Sequence, residues 1–169
     1  MEVLIRSESL EDYNGIEEVT ESAFNQKNEV ELVRTLRTTE KYNPHLSLVA
    51  LTDIELVGHI LFYPVKIGAE ETLILAPMSV KPSYQKMGVG GKLIQEGFKK
   101  AVEQGYDSII VVGHPEYYQK FGFEKASKWG IKLPFDVPDE AFMTIELKEN
   151  SLQGKEGVVE LPKPYLDCG

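Results

Sequence analysis

Three glycines stand at one junction of the chain, where an apolar segment gives way to a helix-like segment. They are Gly88, Gly90 and Gly91, in the stretch YQKMGVGGKLI. Glycine has no Cβ atom, so its backbone N–H groups can approach a ligand closely. The first amides of a helix have no partner inside the helix, and the helix dipole adds partial positive charge there. The junction is therefore predicted to bind an anion, with phosphate or pyrophosphate as the best match. The alternative is that the glycines only allow the helix to pack closely on its strand.

The spacing around these glycines departs from two common phosphate-binding loops. The dinucleotide-binding pattern Gly-x-Gly-x-x-Gly fits Gly88 and Gly90, but position 93 is leucine. A Walker A loop requires Gly-Lys-Ser/Thr, whereas the Gly-Lys pair of this chain is followed by leucine and position 86 is lysine. Lys86 and Lys92 flank the junction and could reach phosphate groups, although a solvated helix face would explain them equally well.

The elements on either side of the junction predict a single α/β domain. Before it, residues 2–6 resemble a short strand, and two amphipathic helices begin at Ser9 and Asn28; Leu10 is assigned to the buried face of the first. The stretches HLSLVAL, ELVGHILFYPVKI and TLILAPMSV then predict three sequential antiparallel strands.

After the junction the pattern changes to a strand–helix–strand crossover. GKLIQEGFKKAVEQG predicts a helix that buries Val102 and ends at Gly105, and DSIIVV predicts a strand parallel to TLILAPMSV. A short helix is expected from Pro115, and a last strand at residues 142–148. Residues 1–150 are predicted to form the domain. Residues 151–169 are a tail that is either loosely attached or paired at a sheet edge.

The length, net charge and cysteine count of the chain restrict the class of protein. The chain has 169 residues, a formal net charge of −9 and one cysteine, Cys168. The acidic balance disfavours nucleic acid as a partner. No apolar run approaches the ~20 residues that span a bilayer, so no membrane partner is expected. The absence of a signal-like start and the single cysteine favour a cytoplasmic location. No spacing of Cys, His or carboxylate residues indicates a metal site.

Two further motifs accompany the glycines. QKMGVG, residues 85–90, has the form Gln/Arg-x-x-Gly-x-Gly/Ala and resembles the coenzyme A pyrophosphate loop of the GNAT superfamily of N-acetyltransferases. APMSVKPSYQ resembles the strand that leads into that loop. In IIVVGHPEYYQKFGF, Tyr118 lies four residues before Gly122 and Phe123 follows, as in the second motif of the family. The resemblance covers about residues 2–148 and is nearest to one bacterial branch of predicted acetyltransferases.

The resemblance implies a fold and a co-substrate. The fold would be an α/β domain with a mixed, mostly antiparallel twisted sheet, flanked by helices and splayed at the acetyl-CoA site. Pro77 agrees with this because proline within a strand marks an edge or a bulge. No metal is implied. The residues implied to bind acetyl-CoA are Met78, Ser79, Val80, Gln85, Lys86, Met87, Gly88, Val89, Gly90, Gly91, Lys92 and Tyr118.

The implied reaction is direct transfer of an acetyl group to a primary amine of a small molecule or peptide. Val80 would contribute a backbone N–H to the thioester oxygen, and Tyr118 would be the general acid, with neighbouring Tyr117 as a competitor. His114 is a candidate base because it lies just past the C-terminal end of the apolar strand DSIIVV, a usual place for ligand-facing groups. The base stays open among Glu70, Glu71, His59 and His114. Phe24, Tyr63 and Trp129 could wall the acceptor pocket. A homodimer is possible, and the rival function is a non-catalytic acetyl-CoA sensor.

Overall fold

The computed structural model describes residues 2–168, which form a mixed sheet flanked by helices. Its strands follow the order β1-β2-β3-β4-β5-β8-β6, with β9 pairing to β3 and β7 pairing to β9. The strands are β1 (Leu4–Ser7), β2 (Ser47–Leu51), β3 (Leu56–Ile67), β4 (Glu70–Val80), β5 (Ser108–Val112), β6 (Glu124–Lys125), β7 (Ile131–Lys132), β8 (Phe142–Glu146) and β9 (Gly157–Glu160). The helices are α1 (Tyr13–Phe24), α2 (Asn28–Leu36), α3 (Val89–Glu103), α4 (Pro115–Tyr118) and α5 (Lys163–Cys168).

The start of α1 is stabilised by a carboxylate. Asp12 accepts a hydrogen bond from the Ser9 backbone N–H (2.8 Å) and is paired with Arg6 (2.7 Å). The pKa of the Asp12 carboxyl is lowered, chiefly by the hydrogen bond from Arg6 and also by the one from Ser9. The assignment of Leu10 to the buried face is wrong. Leu10 is 79% exposed because it lies in a 3-10 turn before the helix, where the helical face has not begun.

The three central strands form the antiparallel meander that the sequence predicts. In the ladder between β2 and β3, Val49 is opposite His59, and in the ladder between β3 and β4, His59 is opposite Ser79. Even-numbered residues of β3 face α3, since a Cβ at Gly58 would touch Leu93 of that helix. Odd-numbered residues face the side covered by α1 and α2, so His59 and Ser79 lie under these two helices.

The crossover through α3 is also confirmed. β4 and β5 are parallel, and Leu73 and Ile74 pair with Ile109 and Ile110. Helix α3 buries Leu93, Ile94 and Ala101 against the sheet and ends before Gly105, whose φ is +89°. The expected burial of Val102 is wrong, because its side chain is 55% exposed at the edge of the apolar stripe.

The C-terminal residues extend the sheet and cover one of its faces. β9 pairs with the end of β3 through Lys66–Glu160 and Ile67–Val159. The Tyr165 hydroxyl of α5 donates to the Ala76 carbonyl of β4 at 2.9 Å. The last helix therefore contacts the middle of the sheet. Among the helices of residues 2–168, none is both long and apolar enough to cross a bilayer.

Candidate functional site

The site begins where two parallel strands separate. The pairing of β4 with β5 is recorded only at Leu73 and Ile74, whereas β4 stays paired with β3 as far as Val80. The Ala76–Pro77 peptide bond, which is cis, and a shift in the β3–β4 register lie within this last part of β4. Residues 75–80 therefore border an open cleft on the side away from β3. The splayed sheet expected from the sequence is confirmed.

The backbone N–H groups in the cleft can be assigned from their neighbours. The Val80 carbonyl accepts from the Gln85 side chain (3.0 Å), and the next residue, Lys81, donates its N–H to the Val57 carbonyl (2.8 Å). Backbone groups of successive strand residues point to opposite sides. Because the Lys81 backbone N–H faces β3, the backbone N–H groups of Val80 and Met78 face the cleft.

The glycine junction lies directly beyond this strand. Gly88 caps α3 with φ +85°, in the left-handed region that favours glycine, and an added Cβ there would meet no atom within 4 Å. The first turn closes with the bond from the Lys92 N–H to the Gly88 carbonyl (3.1 Å). The amides of Val89 and the two glycines after it precede that bond, so they are free of helical partners.

The loop before the helix is fixed to the rest of the sheet. Lys81 forms an ion pair with Glu55 in the turn between β2 and β3, and the Tyr84 hydroxyl donates to the same carboxylate at 3.2 Å. Hydrogen bonding from Lys81 lowers the pKa of Glu55. Together with the bond from Gln85 to Val80, these contacts hold the amides of the helix start beside the cleft.

A cavity of about 490 Å³ joins the cleft and the helix start. The residues predicted to bind the co-substrate that line it are Met78, Val80, Gln85, Lys86, Gly88, Val89 and Gly90. Phe24, an expected pocket wall, also lines it.

The other predicted residues lie around the cavity instead of in its wall. Ser79 is 1% exposed and faces α1 and α2, Met87 is exposed, and Gly91 follows in the first turn of α3. Lys92 lines a separate groove with Leu4 and Asp53.

Two adjacent tyrosines take different positions. Tyr117 lines the cavity, and a Cβ at Gly90 would lie 2.6 Å from its hydroxyl. Tyr118 is packed edge-on against Phe123 at 5.6 Å between ring centroids, and a Cβ at Gly113 would lie 2.6 Å from its ring. Burial, and to a smaller extent Tyr117, raises the pKa of Tyr118 to about 12. Both phenols are therefore protonated at neutral pH, since burial raises the pKa of Tyr117 as well.

The candidate bases are not brought together. Glu70 and Glu71 begin β4, about 30 Å from Val80 at the rise of an extended strand. His114 is exposed at the start of α4. His59 is fully buried under α1 and α2, and desolvation lowers its pKa to about 3.

Four residues outside the predicted set complete the cavity wall: Ala23, Tyr84, Lys120 and Phe121. Lys120 and Phe121 belong to the same YQKFGF motif as Tyr118, and that position was the available signal. Lys120 places its ammonium 4.9 Å from the centre of the Tyr117 ring. With Lys86, it adds a second cation to the wall of a cavity in an acidic chain.

The expected acceptor walls Tyr63 and Trp129 lie elsewhere. The Tyr63 hydroxyl bonds to Thr39 (2.7 Å) in the core under α2, and Trp129 packs against the edge of that core.

The separation of the parallel strands β4 and β5 beside a helix that begins at a glycine cap defines an α/β protein of the acetyltransferase type. The sequence matches the model of the Acetyltransferase (GNAT) family over residues 13–123. It is 40% identical to the N-acetyltransferase YjhQ of Escherichia coli K12 over 134 residues, which are 76% of this chain and 74% of YjhQ.

Two crystal structures are similar over nearly the whole chain. The GNAT family N-acetyltransferase YhbS from Escherichia coli, in complex with CoA, has a TM-score of 0.91 at 30% identity, covering 97% of this chain and 92% of that one. A GNAT family acetyltransferase from Brucella melitensis, in complex with acetyl-CoA, has a TM-score of 0.79 at 32% identity, covering 97% and 98%. The chain belongs to the GNAT family and is an N-acetyltransferase.

Proposed function

We propose that the protein transfers an acetyl group directly from acetyl-CoA to a primary amine of a small molecule or peptide. The observation that carries this proposal is one cavity that contains both the free amides of a helix start and the open backbone of a splayed strand. The relatives from Escherichia coli and Brucella melitensis, solved with CoA and acetyl-CoA, support it.

The residues present fit the co-substrate. Gly88 leaves the space beside the amides at the start of α3 open, as a pyrophosphate requires, and Gly90 has no Cβ that would press on the Tyr117 hydroxyl beside it. Lys86 and Lys120 add positive charge in the same wall, and Gln85 holds the loop to the strand. The backbone of residues 78–80 would bond the amide groups of the pantetheine arm in the way a neighbouring strand would. Acetyl-CoA supplies an activated thioester carbonyl.

The cleft-facing N–H of Val80 is the group that we assign to the oxygen of that carbonyl. The Val80 carbonyl accepts a hydrogen bond from the Gln85 side chain, so the backbone at Val80 is held in place before a ligand binds. A preorganised donor of this kind typically lowers a barrier by about 3–4 kcal/mol. Tyr118 is proposed to protonate the departing thiolate because it holds the acid position of the motif, and Tyr117, which lines the cavity, is its competitor. Both phenols keep their protons at neutral pH.

The C-terminal residues are proposed to be part of this domain. Support comes from the β3–β9 ladder and from the bond between Tyr165 and Ala76, one residue before Pro77. Through that bond, α5 buttresses the strand that borders the cleft.

The test is release of free thiol from acetyl-CoA in the presence of a panel of primary amines and peptides. Wild type should release thiol with at least one amine. Tyr118→Phe should lower turnover by about 100-fold or more while CoA affinity, measured by calorimetry, stays within about twofold. Tyr117→Phe is the matched control for the role of general acid.

The other outcomes identify what has failed. If Tyr117→Phe alone is impaired, the acid is Tyr117. CoA binding without thiol release from any amine would favour the sensor function. Absence of CoA binding would refute the assignment of the cavity.

A further inference from the structure

Two of the three glycines at the start of α3 are in contact with aromatic side chains from α4 and the turn after it. A Cβ at Gly90 would lie 2.6 Å from the Tyr117 hydroxyl, and a Cβ at Gly91 would lie 3.4 Å from the Phe121 ring. A Cβ at Gly88, in contrast, would meet no atom within 4 Å. The glycines therefore have two uses: Gly88 leaves space open, whereas Gly90 and Gly91 admit the aromatic side chains.

The contact between Tyr117 and Gly90 crosses the mouth of the cleft. Helix α4 follows β5 and helix α3 follows β4, so the two residues come from opposite sides of the separated strands. A Cβ at Gly90 would also lie 3.6 Å from the end of the Met78 side chain of β4. The Tyr117 hydroxyl therefore lies where β4, α3 and α4 meet, beside the amides of the first helical turn.

The Tyr117 hydroxyl is available to a ligand. It has no hydrogen-bond partner among residues 2–168, and burial alone raises the pKa of its phenol, which keeps its proton at neutral pH. Tyr84, the other tyrosine in the cavity wall, donates to Glu55 instead. Tyrosine hydroxyls usually find a partner when they are buried. An unpaired, half-buried donor in the wall of a cavity therefore points to a ligand atom as its acceptor.

The side chains around Tyr117 add positive charge without a carboxylate. Lys120 holds its ammonium 4.9 Å from the centre of the Tyr117 ring, and Lys86 lines the same cavity. No Asp or Glu of the described residues lines that cavity, although the chain has 27 of them against 18 Lys and Arg. The next lysines along the chain, Lys125 and Lys128, are paired with carboxylates, whereas Lys120 forms no such pair within residues 2–168. The wall beside Tyr117 therefore favours an anion.

We propose that Tyr117 binds the diphosphate of acetyl-CoA, its hydroxyl donating to a phosphate oxygen that the first amides of α3 hold. An oxygen bonded to the Gly90 or Gly91 N–H lies about 3 Å from that nitrogen, within reach of a hydroxyl that contacts Gly90. Lys120 places its charge beside the same hydroxyl. This inference rests on the proposed use of acetyl-CoA.

The two adjacent tyrosines then have separate tasks. Tyr118 packs on Phe123 and lies against Gly113 at the end of β5, whereas Tyr117 is directed to α3. A donor to the diphosphate stabilises the bound co-substrate and the transition state alike, so its loss raises the KM for acetyl-CoA and leaves kcat in place. Loss of the general acid lowers kcat instead.

Calorimetric titration of wild type and Tyr117→Phe with CoA is the first test. The variant removes one hydroxyl and keeps the ring, and its Kd should rise about 10-fold or more. Dephospho-CoA keeps the diphosphate and lacks the phosphate on the ribose. It should show the same ratio of Kd between the variant and wild type.

Tyr106→Phe is the matched control for loss of a hydroxyl. Tyr106 is also half-buried, and burial is the main cause of its raised pKa. It lies just beyond the opposite end of α3, so its variant should bind CoA within about twofold of wild type.

Gly90→Ala tests the contact without changing Tyr117. Position 90 lies within α3, where alanine is a good helix former, and the added Cβ would displace the hydroxyl that stands 2.6 Å away. CoA binding should weaken by a factor similar to that of Tyr117→Phe. The double variant should bind no more weakly than Gly90→Ala alone, because both changes remove the same bond.

Lys120→Gln tests the charge beside the hydroxyl. It should weaken CoA binding about threefold at low ionic strength and less at high salt, because exposed charges are screened. Lys128→Gln is the matched control, since Lys128 holds its ammonium at the same 4.9 Å from the Trp129 ring centre, outside the cavity wall.

Four results would overturn the assignment of Tyr117. They are wild-type CoA affinity in Tyr117→Phe, a loss seen with CoA and not with dephospho-CoA, losses that multiply in the double variant, and a fall of about 100-fold in the kcat of Tyr117→Phe at saturating acetyl-CoA. The last would identify Tyr117 as the general acid. If wild type itself binds no CoA, the proposed function has failed, and the two failures are thereby distinguished.

Discussion

Substitution of Gly88 by alanine separates ligand binding from backbone strain. Gly88 and Gly105 stand at the two ends of α3 with φ values of +85° and +89°, and an added Cβ meets no atom within 4 Å at either position. An alanine held in the left-handed region lowers the free energy of unfolding by about 1–2 kcal/mol. For a chain of this size, Tm should fall by about 2–8 °C in both variants.

The two variants should differ in CoA affinity. Gly88 is part of the cavity wall, so a methyl group there occupies the approach to the free amides of the helix start. Gly105 is roughly 22 Å away along the helix. Loss of one hydrogen bond to a charged phosphate costs about 1.5–3 kcal/mol, which is about 10- to 150-fold in Kd.

Calorimetric titration with CoA and thermal melts of both variants are the assays. The expected result is matched destabilisation, with weakened binding only in Gly88→Ala. Equal CoA affinity in Gly88→Ala and Gly105→Ala would refute the assignment of the pyrophosphate to this helix start, whatever the melting temperatures are.

Two further predictions concern stability. Tyr165→Phe removes the hydrogen bond to the Ala76 carbonyl and should lower the free energy of unfolding by about 0.5–1.5 kcal/mol in urea titrations, whereas unchanged stability would mean that α5 contributes nothing through this bond. The pKa of Asp12 is lowered, chiefly by its bond from Arg6, so the carboxylate stabilises the fold above its unfolded pKa of about 3.9 and this stabilisation is lost as the pH falls toward the folded pKa. Acid unfolding curves of wild type should therefore be steeper below about pH 5 than those of Asp12→Asn, and parallel curves would contradict the assignment.

The fold was largely predictable because its signals are local. Proline, glycine and alternating apolar residues at fixed spacing mark the meander and the crossover, and both are confirmed. The errors at Leu10 and Val102 are of one kind. A periodic pattern identifies the apolar face of a helix, but the extent of burial depends on which elements pack against its ends.

The site was predictable only where it is contiguous in sequence. Residues 85–90 are contiguous and span the start of α3, so their pattern alone indicated an anion site, and most of them line the cavity. Ala23 and Lys120 reach the same cavity from α1 and from the segment after α4, nearly a hundred residues apart. Ala23 carries no local signal, and the YQKFGF motif marks the segment of Lys120 without showing that it meets α1, because their proximity is a product of how the helices pack on the sheet.

The amino-acid sequence by itself determined the order of the elements, the glycine-capped start of α3 and the family of the protein, since each depends on residues close together in the chain. Only the tertiary structure decided that Tyr117 faces the cavity while Tyr118 packs on Phe123, although the two residues are adjacent. It also decided that His59 stands opposite Ser79, because strand register arises from side chains that must share one buried face.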